Sequence, residues 1–80
     1  MARRIPLTQL TPGIPAKIVE IQAGMGLIRR LEALGIRLSQ RIETVSGTFM
    51  RGPVTVRAGR IRTAIGHRAA GKIIVEVEGT

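Results

Sequence analysis

The sequence predicts a mainly β fold, a small and partly open barrel of five short strands with one helix inserted after the first strand. Three observations support this prediction. Short runs rich in β-branched residues recur between glycines and prolines, as strands do. One stretch, "GMGLIRRLEALGI" at residues 24–36, has clear helical periodicity. The length of 80 residues allows one domain, residues 1–80, with a single small core.

The predicted elements follow one another without a linker or an internal repeat. Residues 1–6 are expected to form a flexible N-terminal segment. The turn signal "TPGIP" precedes the first strand, which is expected at residues 16–21. The helix is followed by four more strands, expected at residues 41–45, 53–57, 60–65 and 72–78. The stretch at residues 66–71 is too short for a stable helix and is expected to form a single turn or a 3₁₀ segment.

The predicted helix carries one apolar stripe and a complete stop signal. Leu27, Leu31 and Leu34 are spaced i, i+4 and i+7, which puts them on one face with Leu31 at the centre. Gly35 follows the last apolar position, where a residue with positive φ can end a helix. Ile36 is then placed to fold back onto the last turn.

The charge balance indicates an anionic partner. Thirteen Lys and Arg residues outnumber five carboxylates, which gives a net charge of +8. Nucleic acid, an acidic protein face and the inner surface of a membrane all fit this charge. Phe49 is the single aromatic residue, which argues against a surface that stacks the bases of single-stranded nucleic acid. A basic surface without a specific polyanion remains an alternative.

The residue types that carry most enzyme chemistry are scarce in this sequence. It contains no cysteine or aspartate, and it has neither a P-loop nor a nucleophilic triad. His67 is the single histidine and is predicted to be a surface residue of a turn, not a metal ligand. We therefore expect no catalytic residue, no metal site and no cofactor. Because no signal peptide or membrane span is recognisable, a cytoplasmic protein is expected.

The order of several short motifs resembles the FeoA family. These motifs are a "PG" turn before the first strand, "AGMGLIRRLEALGI" as a glycine-rich entry into the helix, "GP" before the third strand and "GRIRTAIGHRAAGKIIVEV" at the end. The resemblance covers residues 7–78 and implies an SH3-like barrel without enzymatic activity. It also implies an accessory or regulatory role in bacterial ferrous iron transport. The implied partner is the cytosolic GTP-binding domain of a FeoB-like membrane permease, which would bring the protein to the inner membrane.

Other interpretations remain open beside this resemblance. One is a nucleic-acid-binding SH3-like barrel of the ribosomal or transcription type, and another is the C-terminal domain type of an iron-dependent repressor. A homo-oligomer also remains open, because the last strand has no proline to protect a sheet edge. In an SH3-like barrel the helix covers an open end, so the resemblance implies that the leucine stripe is core and not a partner surface. Leu38-Ser39 departs from the family, which usually has Pro-Gly there.

Two groups of residues are predicted to contact a partner, and the first is a loop tip. Phe49 and Met50 form an apolar pair followed by Arg51, just before a Gly-Pro turn. Exposed apolar groups on a loop can mark a binding site. The alternative is that both apolar side chains lie beneath the loop.

The second group consists of the arginines in "RAGRIR", Arg57, Arg60 and Arg62. A tight turn at Ala58-Gly59 would place Arg57 opposite Arg60 and Thr55 opposite Arg62, with the three arginines together on the outward face. A three-residue turn with a glycine bulge is the alternative, and it would shift the register and separate the arginines somewhat. The core side of this hairpin is then expected to consist of Val54, Val56, Ile61 and Ile65. We expect the arginines to meet an acidic surface of the permease or the anionic membrane beside it, with nucleic acid as the competing ligand.

Overall fold

The computed structural model describes residues 2–46 and 52–78. Within these residues, six antiparallel strands form one open sheet in the order β1-β6-β2-β3-β4-β5. The strands are β1 (Ala2–Pro6), β2 (Ala16–Ile21), β3 (Arg41–Ser46), β4 (Val54–Ala58), β5 (Ile61–Ile65) and β6 (Ile73–Glu78). The helices are α1 (Met25–Ala33) and α2 (His67–Gly71), and a 3₁₀ turn spans Leu7–Gln9. The prediction of a mainly β fold is confirmed, and the helix predicted after the first strand follows the second one, β2, because Ala2–Pro6 forms an additional strand before it.

The start of the chain differs from the expectation that residues 1–6 form a flexible N-terminal segment. Ala2–Pro6 forms β1, a sixth strand that pairs with the outer edge of β6 from Ala2 opposite Glu78 to Pro6 opposite Ile74. Ile5 is partly buried against the core on one side, and Arg4 Nε lies 3.4 Å from Glu76 Oε1 on the other. The sheet is therefore six-stranded and not five-stranded, because β6 supplies the partner that this polar run needs.

The later strands lie within one residue of their predicted bounds, whereas the stretch after β5 differs. Expected as a single turn or a 3₁₀ segment, it forms the five-residue helix α2, with Ala70 fully buried in the core. Ala70 N–H donates to the carbonyl of Gly66 at 2.9 Å, and Lys72 N–H donates to the carbonyl of Ala69 at 3.0 Å. Helix α2 is stable at this length because it packs against the 3₁₀ turn and β6.

Helix α1 ends as its glycine predicts. Gly35 has a φ of +88° and donates to the carbonyl of Glu32 at 2.9 Å. Ile36 N–H donates to the carbonyl of Leu31 at 2.8 Å, which completes a Schellman motif. Both Leu31 and Ile36 are buried in the same core cluster, so the chain folds back onto the last turn.

The leucine stripe of α1 is only partly core. Leu31 is 2% exposed and is the deepest residue of the helix, and Leu27 packs partly buried beside it. Leu34 is 47% exposed, so its assignment to the core was wrong. The reason is that α1 ends at Ala33, which leaves Leu34 as the C-cap while Ile36 fills the core position beyond it.

The connection from α1 to β3 contains one strained residue. Ser39 has a φ of +69°, a left-handed conformation that glycine adopts at far lower cost than serine. Its N–H donates to the carbonyl of Ile18 at 2.7 Å, and Ile18 N–H donates to the carbonyl of Gln40 at 2.9 Å. These bonds to β2 hold Ser39 in place, at the position where the FeoA resemblance leads one to expect glycine.

Candidate functional site

The described residues contain no cluster of metal ligands. Within residues 2–46 and 52–78, no three His, Cys, Asp or Glu side chains converge. His67 begins α2 and is partly buried, with an Nδ1 atom that has no hydrogen-bond partner in this part of the chain. Two carboxylates instead form ion pairs, Glu76 with Arg4 and Glu43 with Arg57. Among the described helices, none has the length and apolar character needed to cross a bilayer.

The first predicted contact group, Phe49, Met50 and Arg51, lies outside the described residues. It stays a prediction. The second group, the arginines of the β4–β5 hairpin, lies wholly within them.

The register of the β4–β5 hairpin differs from the predicted one. Ala58 pairs with Ile61, so the two loop residues are Gly59 and Arg60, not Ala58 and Gly59. Gly59 has a φ of +63° and Arg60 has no positive φ, which is the pattern of a type II′ turn with glycine first. The turn therefore begins one residue later than predicted, because only Gly59 readily takes the positive φ.

This register changes which residues face one another. Arg57 lies directly opposite Arg62, whereas Arg60 occupies the turn, so the predicted pairing of Arg57 with Arg60 was wrong. Thr55 lies opposite Ala64 and not opposite Arg62. Two arginines are adjacent on the outward face and the third is at the hairpin tip, so the three still share one end of the sheet.

The core side of the hairpin differs at one residue. Val54, Val56 and Ile65 are buried as predicted. Ile61 is 57% exposed, so its assignment to the core was wrong, and Ala58 is buried in the same cross-strand pair. Ile61 lies beside the end of α1, since a Cβ placed on Gly35 would be 3.9 Å from Ile61 Cδ1. An exposed isoleucine therefore borders the arginine-bearing end of the sheet.

The outward face of the sheet carries a row of charges across its strands. Glu76 of β6 lies between Arg4 of β1 and Lys17 of β2 in register. Further along, Glu43 of β3 lies opposite Arg57, which in turn faces Arg62. Each of these carboxylates thus has a cation beside it. Two pairs of cations also face each other, Lys17 with Arg41 between β2 and β3 and Arg57 with Arg62 at the end of the row.

A cleft of about 230 Å³ lies beside the turn that precedes β2. Its charged lining consists of Lys17 and Arg41 on one side and Glu76 and Glu78 on the other. Since both signs of charge are present in equal number, this cleft has no preference for an anion. The β4–β5 hairpin, in contrast, carries three arginines and no carboxylate of its own.

Strand β5 is one of the two free edges of the sheet. It pairs with β4 on one side and with no other strand of the described chain on the other. Four of its five residues are exposed or partly exposed. The free edge, the arginines and Ile61 together form the candidate interface, which we call the β5 edge and define as Arg57 and Arg60–Ile65. The alternation in "RAGRIRTAI" indicated a strand, but nothing local showed that it would be terminal.

Comparisons with known proteins give one family. The model of the FeoA domain matches residues 5–77. A crystal structure of the iron uptake regulatory protein FeoA is 27% identical, with a TM-score of 0.83, over 91% of this chain and 96% of that one. The solution structure of iron(II) transport protein A from Clostridium thermocellum is 29% identical, with a TM-score of 0.84. That alignment covers 91% of this chain and 45% of that one.

The same fold occurs in metal-dependent repressors. A manganese-dependent transcriptional repressor is 20% identical, with a TM-score of 0.85, over 98% of this chain and 44% of the repressor. At this identity the likeness concerns the fold alone, and the chain spans less than half of the repressor's length. No protein of curated function matches the sequence.

Proposed function

Because this chain belongs to the FeoA family, we propose that it is a non-enzymatic accessory protein of bacterial ferrous iron transport. The observation that carries the proposal is the family model, which matches residues 5–77 of the 80. FeoA is a family of small, non-catalytic domains associated with iron transport. In this role the protein acts in the cytoplasm. It binds the cytosolic GTP-binding domain of a FeoB-like ferrous iron permease and regulates the permease.

The distribution of charge supports a binding role. The β4–β5 hairpin contains three arginines and no carboxylate, and its nearest acidic residue is Glu43 on β3. Surface charge of one sign speeds association with an oppositely charged partner and makes binding sensitive to salt. An acidic surface of the permease fits this hairpin.

The test is a binding measurement between the purified protein and the cytosolic domain of the permease from the same organism. The informative variant replaces Arg57, Arg60 and Arg62 with Gln. A matched control replaces Arg29, Arg30 and Arg68, which are exposed on the two helices and give the same loss of charge. The hairpin variant is expected to bind at least about tenfold more weakly at low salt, and the control to change far less.

Two further ligands make this test decisive. Anionic vesicles and duplex DNA or RNA are titrated with the same three proteins at two salt concentrations. No binding to the permease domain by the unaltered protein, together with tight and sequence-selective binding of nucleic acid, would replace the transport role with a nucleic-acid role. Equal binding by the hairpin variant and the control would show that the three hairpin arginines are not part of the interface.

A further inference from the structure

The free edge of β5 exposes backbone groups that a partner strand can use. In a β-hairpin with a two-residue loop, the two residues that flank the loop form a hydrogen-bonded pair. Here these residues are Ala58 and Ile61. Hydrogen-bonded and non-hydrogen-bonded pairs alternate along an antiparallel ladder. Arg62 and Ala64 therefore belong to the non-hydrogen-bonded pairs, so their N–H and C=O groups point away from β4 toward the free edge.

The side chains of β5 define what a bound strand must carry. Arg62 lies on the outward face beside Arg57, whereas Ile61 and Thr63 lie on the opposite face. Residues that lie opposite one another in adjacent strands interact, and opposite charges stabilise the pair. A complementary strand has a carboxylate opposite Arg62 and apolar residues beside Ile61, which means an alternating acidic and apolar sequence.

We propose that the β5 edge binds an extended acidic segment of a partner protein by strand addition. The segment donates to and accepts from the backbone of Arg62 and Ala64, and its carboxylates relieve the repulsion between Arg57 and Arg62. This inference rests on the proposed function only for the identity of the protein that carries the segment.

The charge of the β5 edge favours an acidic segment over a second copy of the chain as the strand that pairs with it. Pairing β5 with its own copy would bring together the arginine-bearing ends of two chains of net charge +8. Arginines on an edge strand oppose such pairing in the same way that edge lysines do in other sheets. The other free edge, β1, is less suited to an acidic strand because Arg4 is already paired with Glu76.

The probe is a synthetic seven-residue peptide of alternating Glu and Val, blocked at both ends, titrated into the ¹⁵N-labelled full chain and followed by NMR. Ala64→Pro removes one N–H that β4 does not use, and proline is tolerated at such edge positions. Ala64→Ser keeps that N–H and is the matched control. Ala64→Pro is expected to weaken binding at least about fivefold, and Ala64→Ser by less than about twofold.

Two more comparisons keep the result interpretable. A peptide with Lys in place of Glu tests the charge, and the Glu peptide N-methylated at alternate residues tests the backbone bonds even if Ala64→Pro does not fold. Both modified peptides are expected to lose at least about fivefold in affinity. Shifts of the Arg62 and Ala64 amides are expected with the unmodified peptide.

Several outcomes would overturn strand addition. These are no binding of the Glu peptide, shifts confined to another surface, equal binding of the N-methylated peptide, or self-association through β5 without any ligand. If the permease domain binds Ala64→Pro and the unaltered chain equally, strand addition fails and the proposed function stands. If the peptide binds at β5 but the permease domain does not bind at all, the proposed function fails and strand addition stands.

Discussion

The two halves of the sheet have similar architecture and different charge balance. Strands β1, β6 and β2 carry three cations and three carboxylates, whereas β3, β4, β5 and the hairpin turn carry four cations and one carboxylate. In the first half Glu76 separates Arg4 from Lys17, and in the second half Arg57 directly faces Arg62. Like charges in such positions destabilise a sheet. One such pair, Arg57 with Arg62, lies at a free edge, where a binding partner can relieve the repulsion, whereas another, Lys17 with Arg41, lies between β2 and β3.

The halves also differ in how strongly the fold depends on them. Strand β6 is paired on both sides and contributes Ile73 and Val75, both fully buried, to the core. Strand β5 is paired on one side and buries Ile65 alone among its five residues. Stability therefore resides mainly around β6, and the other end of the sheet is freer to carry a binding surface.

The largest expected effect comes from replacing an isoleucine with alanine in each half of the sheet, which tests whether stability depends more on β6 than on β5. Ile73→Ala is expected to destabilise the protein by about 2–5 kcal/mol, because Ile73 is 0% exposed. Ile61→Ala is expected to cost less than about 0.5 kcal/mol, because Ile61 is 57% exposed. Urea unfolding measures both. Equal losses would contradict the comparison and show that β5 supports the core as much as β6 does.

The next effect concerns the turn that sets the register of the hairpin. Gly59→Ala is expected to destabilise by about 1–2 kcal/mol, because an L residue at a φ of +63° is strained. Gly26→Ala, an exposed site in α1 where the added Cβ meets no atom within 4 Å beyond its chain neighbours and the backbone of the helix itself, is expected to stabilise by about 0.5 kcal/mol. Thermal unfolding of both variants checks the pair. A neutral Gly59→Ala would mean that the hairpin closes through another turn.

A smaller effect of opposite sign is expected in the connection between the halves. Ser39→Gly is expected to stabilise the protein by about 0.5 kcal/mol, since relief of the left-handed strain exceeds the added freedom of the unfolded chain. The change is measured by urea unfolding against Ser46→Gly, a strand residue where glycine is unfavourable. A loss of stability at residue 39 would show that the serine side chain contributes more than its backbone costs.

The smallest effects test the charge balance itself. Arg4→Gln is expected to lower stability by a few tenths of a kcal/mol, because it removes the exposed pair with Glu76. Arg62→Gln is expected to raise stability by a similar amount, because it removes a like charge opposite Arg57. Both differences should vanish in about 1 M salt, where such charges are screened. If both variants changed the stability in the same direction at low salt, the two halves would not differ in charge balance as described.

Much of the fold followed from local sequence signals. Alternating runs located five strands, and Gly35 with Ile36 located the end of α1, because these features depend on neighbours in the chain. The FeoA resemblance, read from the order of short motifs, is confirmed by the family model over residues 5–77.

The remaining features depend on contacts between distant segments. The run Ala2–Pro6 is polar and ends in proline, and only its pairing with β6 makes it a strand. Leu34 has the spacing of a core residue, yet its exposure depends on where α1 stops. For the candidate site, the arginines were identified, but their register depended on which residue of the turn took the positive φ. The roles of Phe49, Met50 and Arg51 stay predictions.

The pairing of β1 with β6 has a consequence for engineering. Ala2 lies directly opposite Glu78, and Cα atoms of such antiparallel partners are about 4.5–5.5 Å apart. A linker of a few residues would therefore join residue 78 to residue 2 without distorting the sheet. A circular permutant opened at the Gly59-Arg60 turn would keep all six strands, and a host protein could accept the whole domain as an insertion through one of its surface loops.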